Sequence, residues 1–167
     1  GFVSTELGER MNEYSLGQQI IESGFYGTNR LQKSFRLNSI QRSYYLDLVD
    51  YLSLDDVTNI PYGKLSDGQK RILIIARALV SKPKILVLDE PSCNLDLKSK
   101  HNLLSLLEKV AISGTTLLQV THNLDTIISN TQRVLLIKKG IVEFDATPTI
   151  ALTSLNLSKL FDTPIKV

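Results

Sequence analysis

Asp89 and Glu90 stand side by side at the end of the aliphatic run Ile85–Leu88, within "ILVLDEPSCNLD". A run that is apolar on both alternations predicts a central parallel strand covered on both faces. The two acids then emerge at the carboxyl edge of a sheet, where open α/β sheets bind ligands. A carboxylate there can hold Mg²⁺ directly or through water, because that ion prefers oxygen ligands and keeps several waters. Its neighbour can orient an attacking water or accept its proton. Taken alone, the pair reads equally well as a strand-end turn carrying two solvated acids.

Two further groups have chemical promise. Ser66, Asp67 and Gly68 precede the helical stretch Gln69–Val80. A serine cap and a glycine at a helix start leave N–H groups and the positive end of the helix dipole facing outward, which makes an anion site. The plain alternative is an ordinary N-cap. His122 follows "TTLLQV" and Thr121. A histidine at a sheet edge can donate a hydrogen bond to a phosphate oxygen, and a structural role is the alternative. His101, in a polar stretch, reads as a solvated helix residue.

These side chains need a sheet and helices to hold them. Gly1–Val3 reads as the end of a strand. Residues 1–62 carry two expected helices. One runs from about Leu16 to Phe25, capped by Ser15 and ended by Gly24 or Gly27. The other spans about Ile40 to Leu52, with Tyr45, Leu48, Val49 and Leu52 on one face. Further on, Ile72, Ile75, Ala76 and Leu79 form a stripe, with Lys70, Arg71 and Arg77 off it. A helix over 97–112 carries Leu103, Leu104, Leu107 and Val110 and is broken by Gly114. The strand 115–120 follows, then a short helix around Leu124–Ser129. "RVLLIKKG" and "IVEFD" pair through a Lys139-Gly140 turn, and the tail carries one or two short helices. Strand, helix, strand, helix, strand is the grammar of a parallel sheet wrapped by helices.

The totals narrow the function classes. The 167 residues suffice for one domain with a full core. A net charge of +2 without a basic stripe gives no reason to expect nucleic acid as a direct partner. The single cysteine, Cys93, excludes an internal disulfide framework and fits a reducing compartment. No apolar run reaches the length of a membrane span.

In order along the chain, "LSDGQ" (65–69), "ILVLDE" (85–90), "SCNLD" (92–96) and "THNLD" (121–125) resemble the signature, Walker B, D-loop and switch-histidine loop of the ATP-binding-cassette (ABC) ATPases. The resemblance extends over essentially the whole chain. It implies an α/β, P-loop NTPase-like fold, a parallel sheet core wrapped by helices plus a helical subdomain. Residues from about 10 to 62 would be that subdomain, about 63–145 the core with signature, Walker B and switch histidine, and 146–167 a tail. ATP and Mg²⁺ are the implied cofactors, and ATP hydrolysis the implied activity.

Residue roles follow from the resemblance. Ser66 and Gly68 would contact the γ-phosphate of ATP held by the opposite subunit of a head-to-tail dimer, and Gln69 would complete that signature. Asp89 would organise Mg²⁺ and water, and Glu90 would polarise the hydrolytic water. Asp96 would couple the two sites across the dimer. His122 would touch the γ-phosphate. Phosphoryl transfer rests on positioning and charge neutralisation, which such a set supplies.

The sequence departs from the family pattern in places. No G-x-x-x-x-G-K-[ST] occurs in it, so the Walker A loop is absent. The expectation is the C-terminal portion of a longer ATPase, inactive by itself. Asp67 replaces the commoner glycine of the signature, and Ser4 or Thr5 stands where the Q-loop glutamine is expected. Cys93, inside the D-loop, is expected as a small buried filler. "GFVSTELGER" with "SGFYGT" is similar to the molybdate and photorepair branch, and "LSKLFDTPIKV" to tails of iron-chelate and metal importers. These likenesses imply the ATP-hydrolysing subunit of an importer for a metal or oxyanion, cytoplasmic and peripheral at the inner face of the membrane. Its partners would be a second nucleotide-binding subunit and membrane permease subunits. The alternative is a soluble ABC ATPase acting in translation, repair or regulation.

Overall fold

The computed structural model of this chain describes residues 1–29 and 35–166. Their contacts divide into two compact units, Gly1–Thr126 and Ile127–Val167.

In the first unit, β1 (Phe2–Val3) leads into α1 (Thr5–Glu9) and α2 (Gly17–Ser23), then α3 (Ser39–Leu52) and α4 (Asp55–Thr58). The long helix α5 (Asp67–Leu79) precedes β2 (Ile85–Asp89), and α6 (Leu97–Ile112) carries the chain across to β3 (Thr116–Val120). The three strands form a parallel sheet in the order β1-β2-β3. Val87 pairs with Phe2 on one side and Leu118 on the other, and Asp89 reaches the carboxyl edge opposite Val120.

The sheet is buried on one face. Val3, Leu86 and Leu88 are fully enclosed, with α5 against β1 and α6 against β3. On the opposite face Phe2 is 55%, Ile85 54%, Leu118 50% and Val120 51% exposed. The expected cover on both faces of "ILVL" is therefore found on one face only among the described residues. A run that is apolar on both alternations says that a strand tolerates cover on each side. It does not say which neighbour supplies it.

The α3 helix follows its sequence pattern, with Tyr45, Leu48, Val49 and Leu52 buried. Its start is fixed by Asn38, whose Oδ1 accepts from Gln41 N at 2.8 Å while Gln41 Oε1 accepts from Asn38 N at 3.0 Å. The cap of α2 is Leu16 rather than the expected Ser15, with the Gln19 side chain reaching back to accept from Leu16 N at 2.9 Å. α1 and α4 had no counterpart in the pattern, being too short to develop a periodicity.

The α5 helix also differs from its expected stripe. Arg71 and Arg77 lie off the apolar line yet are buried, since neighbours surround this helix on several sides. Arg77 satisfies its guanidinium through Ser23 Oγ at 3.0 Å, the Thr28 carbonyl at 3.1 Å and Asn29 Oδ1 at 3.2 Å. Burial pulls both arginines below the usual guanidinium value.

The second unit is a hairpin of β4 (Val134–Lys138) and β5 (Ile141–Ala146), followed by α7 (Pro148–Ala151) and α8 (Ser154–Phe161). Lys139 and Gly140 have φ of 51° and 78°. Positive φ at both positions is what a two-residue hairpin turn demands. Leu157 is fully buried, and Asn156 Nδ2 donates to the carbonyls of Ile150 and Ala151 at 3.0 and 3.2 Å. Among the described residues no helix is long and apolar enough to cross a membrane.

Candidate functional site

The carboxyl edge of the three-stranded sheet carries a polar corner built on Glu90. The residue follows β2 directly and turns the chain with φ of 44°, in the left-handed region. An L-residue there is strained by about 1–2 kcal/mol. Two backbone bonds fix the turn. Glu90 N donates to Val120 O at 3.0 Å, and Cys93 N donates to Glu90 O at 3.2 Å.

The carboxylate so presented is held from β3's end. Oε1 accepts from His122 N at 2.9 Å and lies 2.7 Å from His122 Nδ1, while Oε2 accepts from Thr121 Oγ1 at 3.3 Å. An ionised carboxylate only accepts, so Nδ1 carries the proton in this pair and Nε2 is left for another donor. His122 stays exposed, and Glu90 is more covered than its partner. An acid and a histidine distant in sequence thus meet at one point. The sequence pattern had flagged both, but not Thr121.

Asp89, one residue earlier, is exposed at the strand end. No hydrogen bond of its side chain is found among the described residues, so its carboxylate is open to a cation. No group of three or more His, Cys, Asp or Glu gathers there among the described residues. A single exposed carboxylate of this kind suits Mg²⁺, which is held by one or two carboxylates together with substrate phosphates.

A second cluster joins two helix starts. Ser66 caps α5: its Oγ accepts from Gln69 N at 3.3 Å, and Gln69 Oε1 accepts from Ser66 N at 2.9 Å. This reciprocal pair ties the Gln69 side chain to its own helix. Asp96 caps α6 in the same manner, accepting from Ser99 N at 2.9 Å and from Ser99 Oγ at 2.7 Å. These hydrogen bonds from Ser99 hold the Asp96 carboxyl below its ordinary value. Gly68 is the joint between the helices. A Cβ on it would stand 2.6 Å from Ser99 Oγ and 2.7 Å from Ser99 Cβ. Ser66 and Gln69 are exposed, but Gly68 is buried. Among the described residues no hydrogen bond joins this cluster to Asp89, Glu90 or His122.

Beside the α5 start lies a cavity of ≈ 450 Å³, lined among others by Ser4, Glu13, Tyr62, Asp67, Arg71 and Cys93. Burial beside these groups pushes the Tyr62 hydroxyl up to about 12. Cys93 is half-buried and faces this space, so it is not the enclosed filler expected from the D-loop pattern. The turn set by Glu90 projects it there. Ser4, at the position of the expected Q-loop glutamine, caps α1 by accepting from Leu7 N at 3.4 Å. His101 is exposed on α6, as expected.

Comparison with known proteins gives these clusters a context. Residues 3–129 match the family profile described as "AAA domain, putative AbiEii toxin, Type IV TA system". The chain is 31% identical over its whole length to the "Uncharacterized ABC transporter ATP-binding protein YlmA" of Bacillus subtilis, of which it spans 63%. It is 36% identical, over 72% of its length, to the "Molybdate import ATP-binding protein MolC" of Haemophilus influenzae, and covers 47% of that protein. Among solved structures, an inward-facing conformation of a "putative metal-chelate type ABC transporter" superposes on 98% of the chain with a TM-score of 0.81 at 28% identity. The chain covers 64% of that solved chain, and so spans less than two thirds of the length of each of these three relatives.

Proposed function

From the premise that this chain belongs to the AAA-domain family and to the ABC ATPases, we propose that it supplies the hydrolytic carboxylate and the signature helix of an ATP-hydrolysing transporter subunit. The observation that carries the reading is the Glu90 corner. A strained residue at the end of a parallel strand has its carboxylate fixed by a histidine and a threonine from the neighbouring strand end.

Each residue then has a task. Asp89 would hold Mg²⁺, whose charge neutralises phosphate oxygens. Glu90 orients a water and accepts its proton. His122 keeps Glu90 aligned through Nδ1, and when its ring carries a second proton Nε2 donates to a phosphate oxygen. The capping box already occupies the N–H groups of Ser66 and Gln69. Asp67 and Gly68 therefore keep the first-turn N–H groups that the capping box does not occupy, with Asp67 on the exposed side. Asp96, locked on Ser99 beside Gly68, would couple the two sites across the dimer. The loop that cradles the phosphates is not among these 167 residues. The chain alone would thus bind MgATP poorly and show no turnover.

The signature acts on ATP held by a second nucleotide-binding subunit, and residues 10–62 form the helical subdomain that meets a membrane permease. The cargo would be a metal or an oxyanion, a reading supported by the likeness to MolC and to the metal-chelate type transporter. The subunit would sit in the cytoplasm at the inner face of the membrane.

A mixing experiment tests this scheme in the ATPase that contains both this chain and a Walker A loop. Ser66→Arg places a bulky cation where the phosphate must dock. It should leave ATP binding by the monomer intact while abolishing ATP-dependent dimerisation and hydrolysis. Mixing it with a Walker A lysine variant should restore part of the activity, since one mixed dimer holds one complete site. Loss of ATP binding by the Ser66→Arg monomer would place the signature within its own subunit and overturn the scheme.

A further inference from the structure

The hydrogen bonds behind Glu90 continue beyond its direct partners. Thr121 Oγ1, 3.3 Å from Glu90 Oε2, also accepts from Asn123 N at 3.0 Å and lies 3.1 Å from Thr126 Oγ1. Thr126 is fully buried. Its hydroxyl donates to Asn123 O at 2.6 Å, and Gln119 Nε2 donates to Thr126 O at 3.1 Å and to Thr126 Oγ1 at 3.3 Å. Gln119 lies on β3 opposite Leu88, one pair before the strand ends.

A hydroxyl has one proton to give. Thr126 commits its proton to Asn123 O, the shortest of its contacts. Its oxygen is thereby an acceptor, already engaged by Gln119. Asn123 N fills one acceptor site on Thr121 and leaves the Thr121 proton with three destinations, Thr126 Oγ1 at 3.1 Å, Glu90 Oε2 at 3.3 Å and, farthest, Asn123 O at 3.5 Å. The ionised carboxylate is the stronger acceptor, since hydrogen bonds to a charged group are about twice as strong as neutral ones. Oε1 is meanwhile taken by His122. Anchors on one oxygen alone leave a carboxylate able to swing about it, and an anchor on the other oxygen fixes its plane.

We infer that Thr121 is a positioning residue: its hydroxyl, braced by Thr126 and Gln119, fixes the plane of the Glu90 carboxylate for attack by water. The inference rests on the reading of Glu90 as the hydrolytic base. It assigns the Gln119–Thr126–Thr121 chain a catalytic purpose separate from nucleotide binding, because none of these side chains is needed to hold a phosphate.

Steady-state kinetics on the ATPase that contains this chain and a Walker A loop test the inference, using Thr121→Val, Thr121→Ser, Glu90→Gln and the Thr121→Val/Glu90→Gln pair. Valine keeps the shape and removes the donor. It should lower kcat about tenfold, the loss of a hydrogen bond to a charged group, with KM for ATP unchanged. Serine restores the donor and should return kcat close to the parent. In the Glu90→Gln background the valine should lower residual turnover no further. Should valine prevent folding, Thr121→Ala takes its place, with the same expectations. Parental kcat in the donor-free variant, equal loss in both Glu90 backgrounds, or no rescue by serine would overturn the positioning role. Parental turnover in Glu90→Gln alone would overturn the reading of Glu90 itself, and the role of Thr121 with it.

Discussion

The two clusters of the first unit differ in what their residue types owe to local structure. At the helix starts, every side chain has a structural reason to be what it is. Ser66 and Asp96 cap α5 and α6, Gln69 closes a capping box, and Gly68 leaves room for Ser99. A chain with no ligand at all would favour the same residues. At the sheet edge the reverse holds. Glu90 occupies a left-handed backbone position that glycine or asparagine would accept with less strain, and Asp89 stands exposed beside it. Residues that local structure explains are weak witnesses to function. A residue held against its backbone preference is a stronger one.

The comparison can be broken where its packing claim is sharpest. Gly68→Ala forces a Cβ against Ser99 and should destabilise the chain by about 1–3 kcal/mol, the usual range for overpacking. Chemical denaturation measures the loss, and Ser99→Gly in the same chain should recover part of it. If alanine is tolerated without Ser99→Gly, the glycine is there for a ligand and the contrast fails. Next, Glu90→Gly should be more stable than Glu90→Ala by about 1 kcal/mol, since only glycine relaxes at positive φ. Equal stability of the two variants would remove the argument from strain.

Smaller effects belong to the caps. Ser66→Ala should lower stability by about 0.5–1 kcal/mol, with Ser66→Thr close to the parent. Asp96 is held below its ordinary pKa of 3.8 by Ser99, so its charged form is favoured in the folded state. Its contribution to stability is complete above that ordinary value and is lost as pH falls through the lowered folded-state value. Asp96→Asn keeps the cap acceptor but does not titrate. Thermal melts from pH 5 downward should therefore show the parent losing stability faster than the variant below pH 3.8. Parallel curves would mean that Asp96 is not held by Ser99 in solution.

Much of this was legible in the residues. The α3 and α6 helices, β2 and the Lys139-Gly140 turn follow from periodicity and turn chemistry, which are local. Glu90 and His122 each read as a strand-end residue, and it is the β2-β3 pairing that brings them together. Other features depend on what lies across a contact. The strain at Glu90, the space Gly68 must leave and the burial of Arg71 and Arg77 are set by neighbours far along the chain. Thr121 carries no sequence signal for the same reason: a threonine near a strand end is ordinary until its oxygen lies against a carboxylate. The half-buried setting of Cys93 is not legible in the D-loop pattern, because its backbone is tied to the turn at Glu90.

The central claim is that the Glu90 carboxylate is the group that activates water. Glu90→Gln in the ATPase that contains this chain and a Walker A loop tests it most directly, because glutamine keeps the size and an acceptor oxygen but carries no charge. ATP turnover and ATP-dependent association would be followed on the same sample. Turnover should fall by about 10²–10⁴-fold, the reach of general base catalysis, while ATP still binds and the ATP-dependent dimer persists. Near-parental turnover in that variant would contradict the account and place the base elsewhere.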